Sequence, residues 1–76
     1  MSTSSSDPHA LGRGVRAIRK ERGINQTQLS QKSGLTTGGI SRVETGSRNP
    51  SWANVVRLAE GLGVSSSELA RRAETY

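Results

Sequence analysis

Gln26-Thr27-Gln28-Leu29-Ser30-Gln31-Lys32-Ser33-Gly34-Leu35-Thr36-Thr37-Gly38-Gly39-Ile40-Ser41-Arg42-Val43-Glu44-Thr45-Gly46 reads as two short helices joined at Gly34, and this stretch decides the fold. Its apolar positions are Leu29, Leu35, Ile40 and Val43. A three-residue step puts Ile40 and Val43 together on the inner face of the second helix, while Leu29 takes the inner face of the first. Two buried faces then meet at a steep angle. A bulky side chain at such a crossing would hold the helices apart, and Ser30, directly after the anchor Leu29, is small. Gly34 falls where the first helix must stop in a left-handed conformation that costs almost any other residue energy. A glycine alone would mark only a helix end. Its register with Leu29, Ser30, Ile40 and Val43 makes the reading specific: a helix-turn-helix.

Outward from this pair the chain supplies three more helices. Asp7-Pro8 starts the first, with Asp7 as N-cap and Pro8 at the first helical position, where its missing N–H costs nothing. This helix runs to about Arg22 and ends at Gly23. Leu11, Val15 and Ile18 form its core stripe, and Arg13, Arg16 and Lys20 share another face. Asn25 caps the second helix, with Gln28 at the reciprocal position of a capping box; Thr36 caps the third, which spans Thr37 to about Thr45 and stops at Gly46. Ser51 caps the fourth, whose apolar members Trp52, Val55, Val56, Leu58, Ala59 and Leu62 make it the spine of the core, with Trp52 expected to cover the core at its start. Ser65-Ser66-Ser67-Glu68 opens a fifth through Leu69, Ala70, Ala73 and Tyr76. The pattern contains no repeat and no strand. It predicts an all-α fold, residues 8–76 forming one compact five-helix domain behind a disordered tail at 1–7.

Composition narrows the function. A chain of 76 residues, 30% hydrophobic and without Phe, must build a thin aliphatic core, and a domain this small buries only about 60% of its unfolded surface. The absence of Cys excludes a disulfide framework or thiolate zinc site and fits a reducing, cytoplasmic setting. No apolar run approaches the ~20 residues that span a bilayer, and residues 1–7 lack the features of a signal peptide. One His and six scattered carboxylates (Asp7, Glu21, Glu44, Glu60, Glu68, Glu74) form no acid–base pair and no metal cluster. Gly38-Gly39 lacks the following Lys-Ser/Thr of a phosphate-binding loop. Neither an enzyme nor a cofactor site is expected, and His9 is expected to be exposed and unliganded. Eleven Lys and Arg give a net charge of +5. The isoelectric point of 11.2 exceeds the value of about 9 that flags nucleic-acid-binding domains.

From about Leu11 to Leu69 the chain resembles the Cro-repressor-type (XRE) helix-turn-helix family, with a lambda-repressor-like fold. The motifs that carry the resemblance are Gly23-Ile24-Asn25-Gln26-Thr27-Gln28-Leu29-Ser30, then Gly34 through Gly46 with Ile40-Ser41-Arg42-Val43-Glu44, then Asn49-Pro50-Ser51 and Leu62-Gly63-Val64. Within the family it is most similar to small controller proteins of restriction-modification systems and to stand-alone phage or plasmid regulators. Glycines at 38 and 39 depart from the larger polar side chains usual there.

The resemblance implies a sequence-specific regulator of transcription that places its third helix in the major groove of double-stranded DNA. Thr37, Gly38, Ser41 and Arg42 face outward on the N-terminal half of that helix and are the candidates for reading bases. Arg42 can grip guanine O6 and N7, with a phosphate contact or surface ion pair as the alternative. Gln26, Thr36, Ser47, Arg48 and Asn49 are candidates for phosphate contacts, and Arg48 can alternatively reach the minor groove. Arg13, Arg16 and Lys20 read either as a solvated face that adds long-range attraction or as direct contacts. Gly38-Gly39 allows two readings, a close approach of backbone to DNA or a helix that stays loose until bound. Glu44, in the last turn of its helix, opposes the macrodipole and calls for a cation; similar domains pair it with the arginine equivalent to Arg19, the alternative being a simply exposed carboxylate. An inverted-repeat operator and a homodimer are expected. Val64, Leu69, Ala73 and Tyr76 are candidates for self-association, or else they close the monomer core. No membrane or small-molecule partner is indicated; an antitoxin or adaptor acting on a toxin or the transcription machinery is the rival reading.

Overall fold

The computed structural model describes residues 8–74, so the expected tail, the cap at Asp7 and the role of Tyr76 lie outside the described residues. Five helices follow in order, α1 (Pro8–Glu21), α2 (Gln26–Ser33), α3 (Thr37–Thr45), α4 (Trp52–Leu62) and α5 (Ser66–Glu74), with no strand among the described residues. Their starts are fixed by side chains that satisfy first-turn N–H groups. Asn25 Oδ1 accepts from Gln28 N at 2.8 Å while Gln28 Oε1 accepts from Asn25 N at 2.8 Å, a complete capping box. Thr36 Oγ1 accepts from Gly39 N at 3.0 Å, Ser51 Oγ from Asn54 N at 3.3 Å, and Ser65 Oγ from Glu68 N at 3.0 Å. The Glu68 carboxylate pairs with Arg71 one turn on. At the turn of the helix-turn-helix Gly34 adopts φ +78°, the left-handed value that an L side chain resists.

The core is aliphatic. Val15 and Ile18 of α1, Leu29 of α2, Ile40 and Val43 of α3, Val55, Leu58, Ala59 and Leu62 of α4, and Leu69 of α5 form one buried cluster, flanked by Leu11, Ile24, Leu35 and Val64. Trp52 does not cover it: the residue is 65% exposed. The buried stripe of α4 begins one turn later, at Val55, and the first turn of the helix projects past the edge of the core.

Glycine sets how near the helices come. A methyl group on Gly12 would sit 2.1 Å from the Val43 carbonyl oxygen, and one on Gly14 would sit 3.1 Å from the Ala73 nitrogen. The backbone of α1 therefore lies directly against α3 on one side and α5 on the other. The α2–α4 crossing follows the same rule, since a methyl on Gly61 would meet Leu29 Cδ1 at 2.9 Å and Ser33 Cβ at 3.0 Å. Small residues do permit that approach, but they are Ser33 and Gly61. Ser30, half-buried, donates its hydroxyl to the Leu35 carbonyl and ties α2 to the turn.

One charged group is enclosed at the junction of three helices. Glu44, 8% exposed, accepts from Arg19 Nε at 2.7 Å and Nη2 at 3.0 Å, and from Gln26 Nε2 at 3.1 Å. Arg19 completes its donor set with Nη1 to the Ile24 carbonyl at 3.0 Å. The hydrogen bond to Glu44 raises the Arg19 pKa above its ordinary value, against the opposing effect of burial. A second, exposed pair joins α1 to α5, Arg72 donating to Glu21. That hydrogen bond holds the Glu21 carboxyl below its ordinary value.

Gly12→Ala is expected to lower stability by about 1–3 kcal/mol, because backbone and not a side-chain tip must move aside; thermal denaturation followed by circular dichroism measures it. Glu44→Ala strands the Arg19 guanidinium in a partly buried site and is expected to cost about 3–5 kcal/mol. The double variant Arg19→Met, Glu44→Leu should recover most of that loss in urea denaturation.

Candidate nucleic-acid interface

Two sides of α3 have opposite characters. Ile40, Val43 and Glu44 are buried against the rest of the domain. Thr37, Gly38 and Arg42 are exposed and Ser41 is half-buried, so the positions expected to read bases form one accessible face. Thr36, also exposed, spends its hydroxyl on the α3 cap. Nothing acidic lies near this face in the sequence: from Asn25 to Ala59 Glu44 is the sole carboxylate, against Lys32, Arg42, Arg48 and Arg57. Because that carboxylate points inward and is fully engaged with Arg19 and Gln26, the outward surface carries no opposing charge from this stretch.

The loop after α3 is folded back on the helix. The Arg42 carbonyl accepts from Ser47 N at 2.9 Å and Arg48 N at 3.2 Å, and also from Thr45 Oγ1 at 3.2 Å and Ser47 Oγ at 3.3 Å. Arg48 is thereby drawn beside the last turn of α3, and its side chain and that of Asn49 are exposed. Arg42 and Arg48, both exposed, are thus backbone neighbours at this end of the helix. Ser47 keeps its hydroxyl within the loop, shared with Thr45 at 3.2 Å.

Gln26 occupies the first position of α2, half-buried, and its amide donates inward to Glu44. Its side chain therefore serves the junction. What α2 offers outward is the backbone N–H groups of its first turn, of which that of Gln28 is already used by Asn25. The sequence does not disclose this role for Gln26, nor those of Gly12 and Gly14, although a Gly-x-Gly pair inside an amphipathic helix, each costing up to ~1 kcal/mol against Ala, is a signal that could have found the two glycines.

The candidate association residues separate. Leu69 is 0% exposed and completes the core, so it has no surface to offer a partner. Val64 and Ala73 are half-buried, and the backbone of Ala73 abuts Gly14. Helix α5 thus closes the monomer. His9 is exposed, with its ring against Gly46, where an added methyl would come within 2.6 Å of Cδ2. Among the described residues no group of three His, Cys, Asp or Glu is placed to hold a metal ion, and no helix is long and apolar enough to cross a membrane.

Comparison with known proteins agrees with this geometry. The helix-turn-helix family HTH_3 matches residues 15–69. The HTH-type transcriptional repressor RghR of Bacillus subtilis is 41% identical over 56 residues, which cover 72% of this chain and 42% of RghR. The chain thus spans less than half of that relative. An uncharacterized HTH-type transcriptional regulator, y4dJ of Sinorhizobium fredii, is 36% identical over 59 residues, covering 78% of this chain and 77% of the relative. Among solved structures, the restriction-modification controller protein C.AhdI from Aeromonas hydrophila superposes with a TM-score of 0.81 at 34% identity, covering 84% of this chain and 97% of the controller. A family match over most of the domain, relatives named as transcriptional regulators and a third helix whose lone carboxylate is turned inward, away from its exposed face, converge: the chain belongs to the HTH_3 helix-turn-helix family of DNA-binding transcriptional regulators.

Proposed function

We propose that the protein is a homodimeric, cytoplasmic regulator that reads an inverted-repeat operator, each protomer inserting α3 into the major groove. The observation that carries this reading is the exposure of Thr37, Gly38 and Arg42 on a face whose one nearby carboxylate is turned inward and paired. Arg42 donates to guanine O6 and N7, a contact worth about 1–3 kcal/mol of discrimination. Thr37 and Ser41 supply hydroxyls of lower selectivity. Arg48 and Asn49, with the Thr36 hydroxyl, which accepts in the cap and can still donate, and the first-turn N–H groups at Gln26, hold the flanking phosphates and fix the register, while Ser47 is committed to its own loop. Arg13, Arg16 and Lys20, exposed along α1, add long-range attraction. The protein works by binding and not by catalysis.

A single helix-turn-helix touches few base pairs and discriminates poorly. A two-fold pair reads half-sites roughly 34 Å apart, one turn of the duplex, and adds the two specific energies. With Leu69 committed to the core, Val64 and Ala73 remain of the association candidates among the described residues, and the exposed Trp52 joins them. The similarity to C.AhdI favours the role of a restriction-modification controller for this compact domain.

Selection from random duplexes, repeated over a range of salt, tests the reading: one preferred inverted repeat and a steep loss of affinity with salt are expected. Shallow, sequence-blind binding would instead indicate the antitoxin or adaptor role. On the selected operator Arg42→Ala should weaken binding far more than on a scrambled duplex, whereas Arg48→Ala should weaken both and lower the salt slope by about 0.9. Sedimentation should show a dimer at micromolar concentration, and a monomer throughout would remove the two-fold model.

A further inference from the structure

Eight of the nine glycines in this chain have a reason within the fold. Gly23, Gly34, Gly46 and Gly63 have positive φ. Gly12, Gly14 and Gly61 sit where a methyl group would press on a neighbouring helix, and a methyl on Gly39 would come within 3.0 Å of the Thr36 hydroxyl that caps α3. Gly38 has none of these. Its backbone is ordinary right-handed helix, it is exposed, and an added methyl would meet nothing within 4 Å. Alanine there would favour the helix, so the fold alone does not account for glycine at this position.

The explanation lies outside the molecule. Gly38 stands in the first turn of the exposed face, beside Thr37 and one turn before Arg42, with Ser41 three residues on. At that spot the helix presents a bare, open Cα methylene among positions that carry hydrogen-bonding groups and a cation, a gap that a duplex laid on the face would close into a shallow apolar notch. In the major groove the apolar group that projects from a base edge is the C5-methyl of thymine.

Resting on the operator reading above, we propose that Gly38 is a specificity-determining gap: its missing side chain seats the C5-methyl of one thymine in each half-site, next to the base contacted by Arg42. The notch selects thymine by shape, with no hydrogen bond from residue 38. It also lets α3 sit deeper in the groove than a helix with a side chain there.

Exchanging a methyl group between protein and DNA provides the test. Gly38→Ala should keep the circular dichroism of the wild type and melt at the same temperature or a few degrees higher. Its affinity for the selected operator should fall about tenfold, the scale of one lost base contact, with binding to a scrambled duplex unchanged. Deoxyuridine in place of one operator thymine per half-site should weaken the wild type, and Gly38→Ala should bind that deoxyuridine operator better than the thymine operator, because the space vacated by one methyl accepts the other. Wild-type affinity retained by Gly38→Ala, or an equal loss on the thymine and deoxyuridine duplexes at every position, would overturn the notch. A wild type with no preferred duplex would overturn the operator reading and the notch together; a preferred duplex bound equally by both proteins would overturn the notch alone.

Discussion

The carboxylate of Glu44 is the fixed point of this domain. It lies in the last turn of α3, where the helix dipole disfavours negative charge, and it is almost wholly removed from water. Both costs are offset locally by three donors, two from the Arg19 guanidinium and one from the Gln26 amide. Because the donors come from α1 and α2, satisfying one buried charge also sets the orientation of α3 relative to the two helices before it. Orientation matters here more than raw stability. A helix that must present a particular face to a duplex needs its rotation about its own axis defined, and Ile40 and Val43 alone would tolerate a few degrees of roll.

The second constraint is proximity. With few apolar side chains and none of them aromatic in the core cluster, the domain cannot fill wide gaps between helices. It narrows them. Gly12 and Gly14 bring α1 onto the backbones of α3 and α5, and Gly61 does the same for α4 against α2. Close backbone packing replaces bulk, and the helix propensity lost at each glycine is the accompanying cost. Gly38 stands apart because it has the cost without the internal benefit.

Much of the architecture was legible from local chemistry. Asn25, Thr36, Ser51 and Ser65 are cap residues whose side chains bond the backbone three positions on, a relation that depends on nothing distant in the chain. The inner stripe of Leu29, Ile40 and Val43 follows from helical periodicity in the same way. What sequence did not reveal is set by tertiary neighbours. Whether Trp52 packs or projects depends on where the core ends relative to the first turn of α4. Whether Gln26 reaches outward or inward depends on Glu44, eighteen residues away. Whether Leu69 serves association or closes the core depends on how α5 lies against α1, and there it is fully buried.

The projecting Trp52 gives the domain an unusual optical character. As the sole tryptophan of the chain, it is already 65% exposed in the native state. Its emission will therefore change less on unfolding than that of a core tryptophan, and melting curves read by fluorescence would under-report the loss of the helices. The same indole is a sensitive reporter of anything that settles on the first turn of α4, be it a duplex or a second protomer, with no label required.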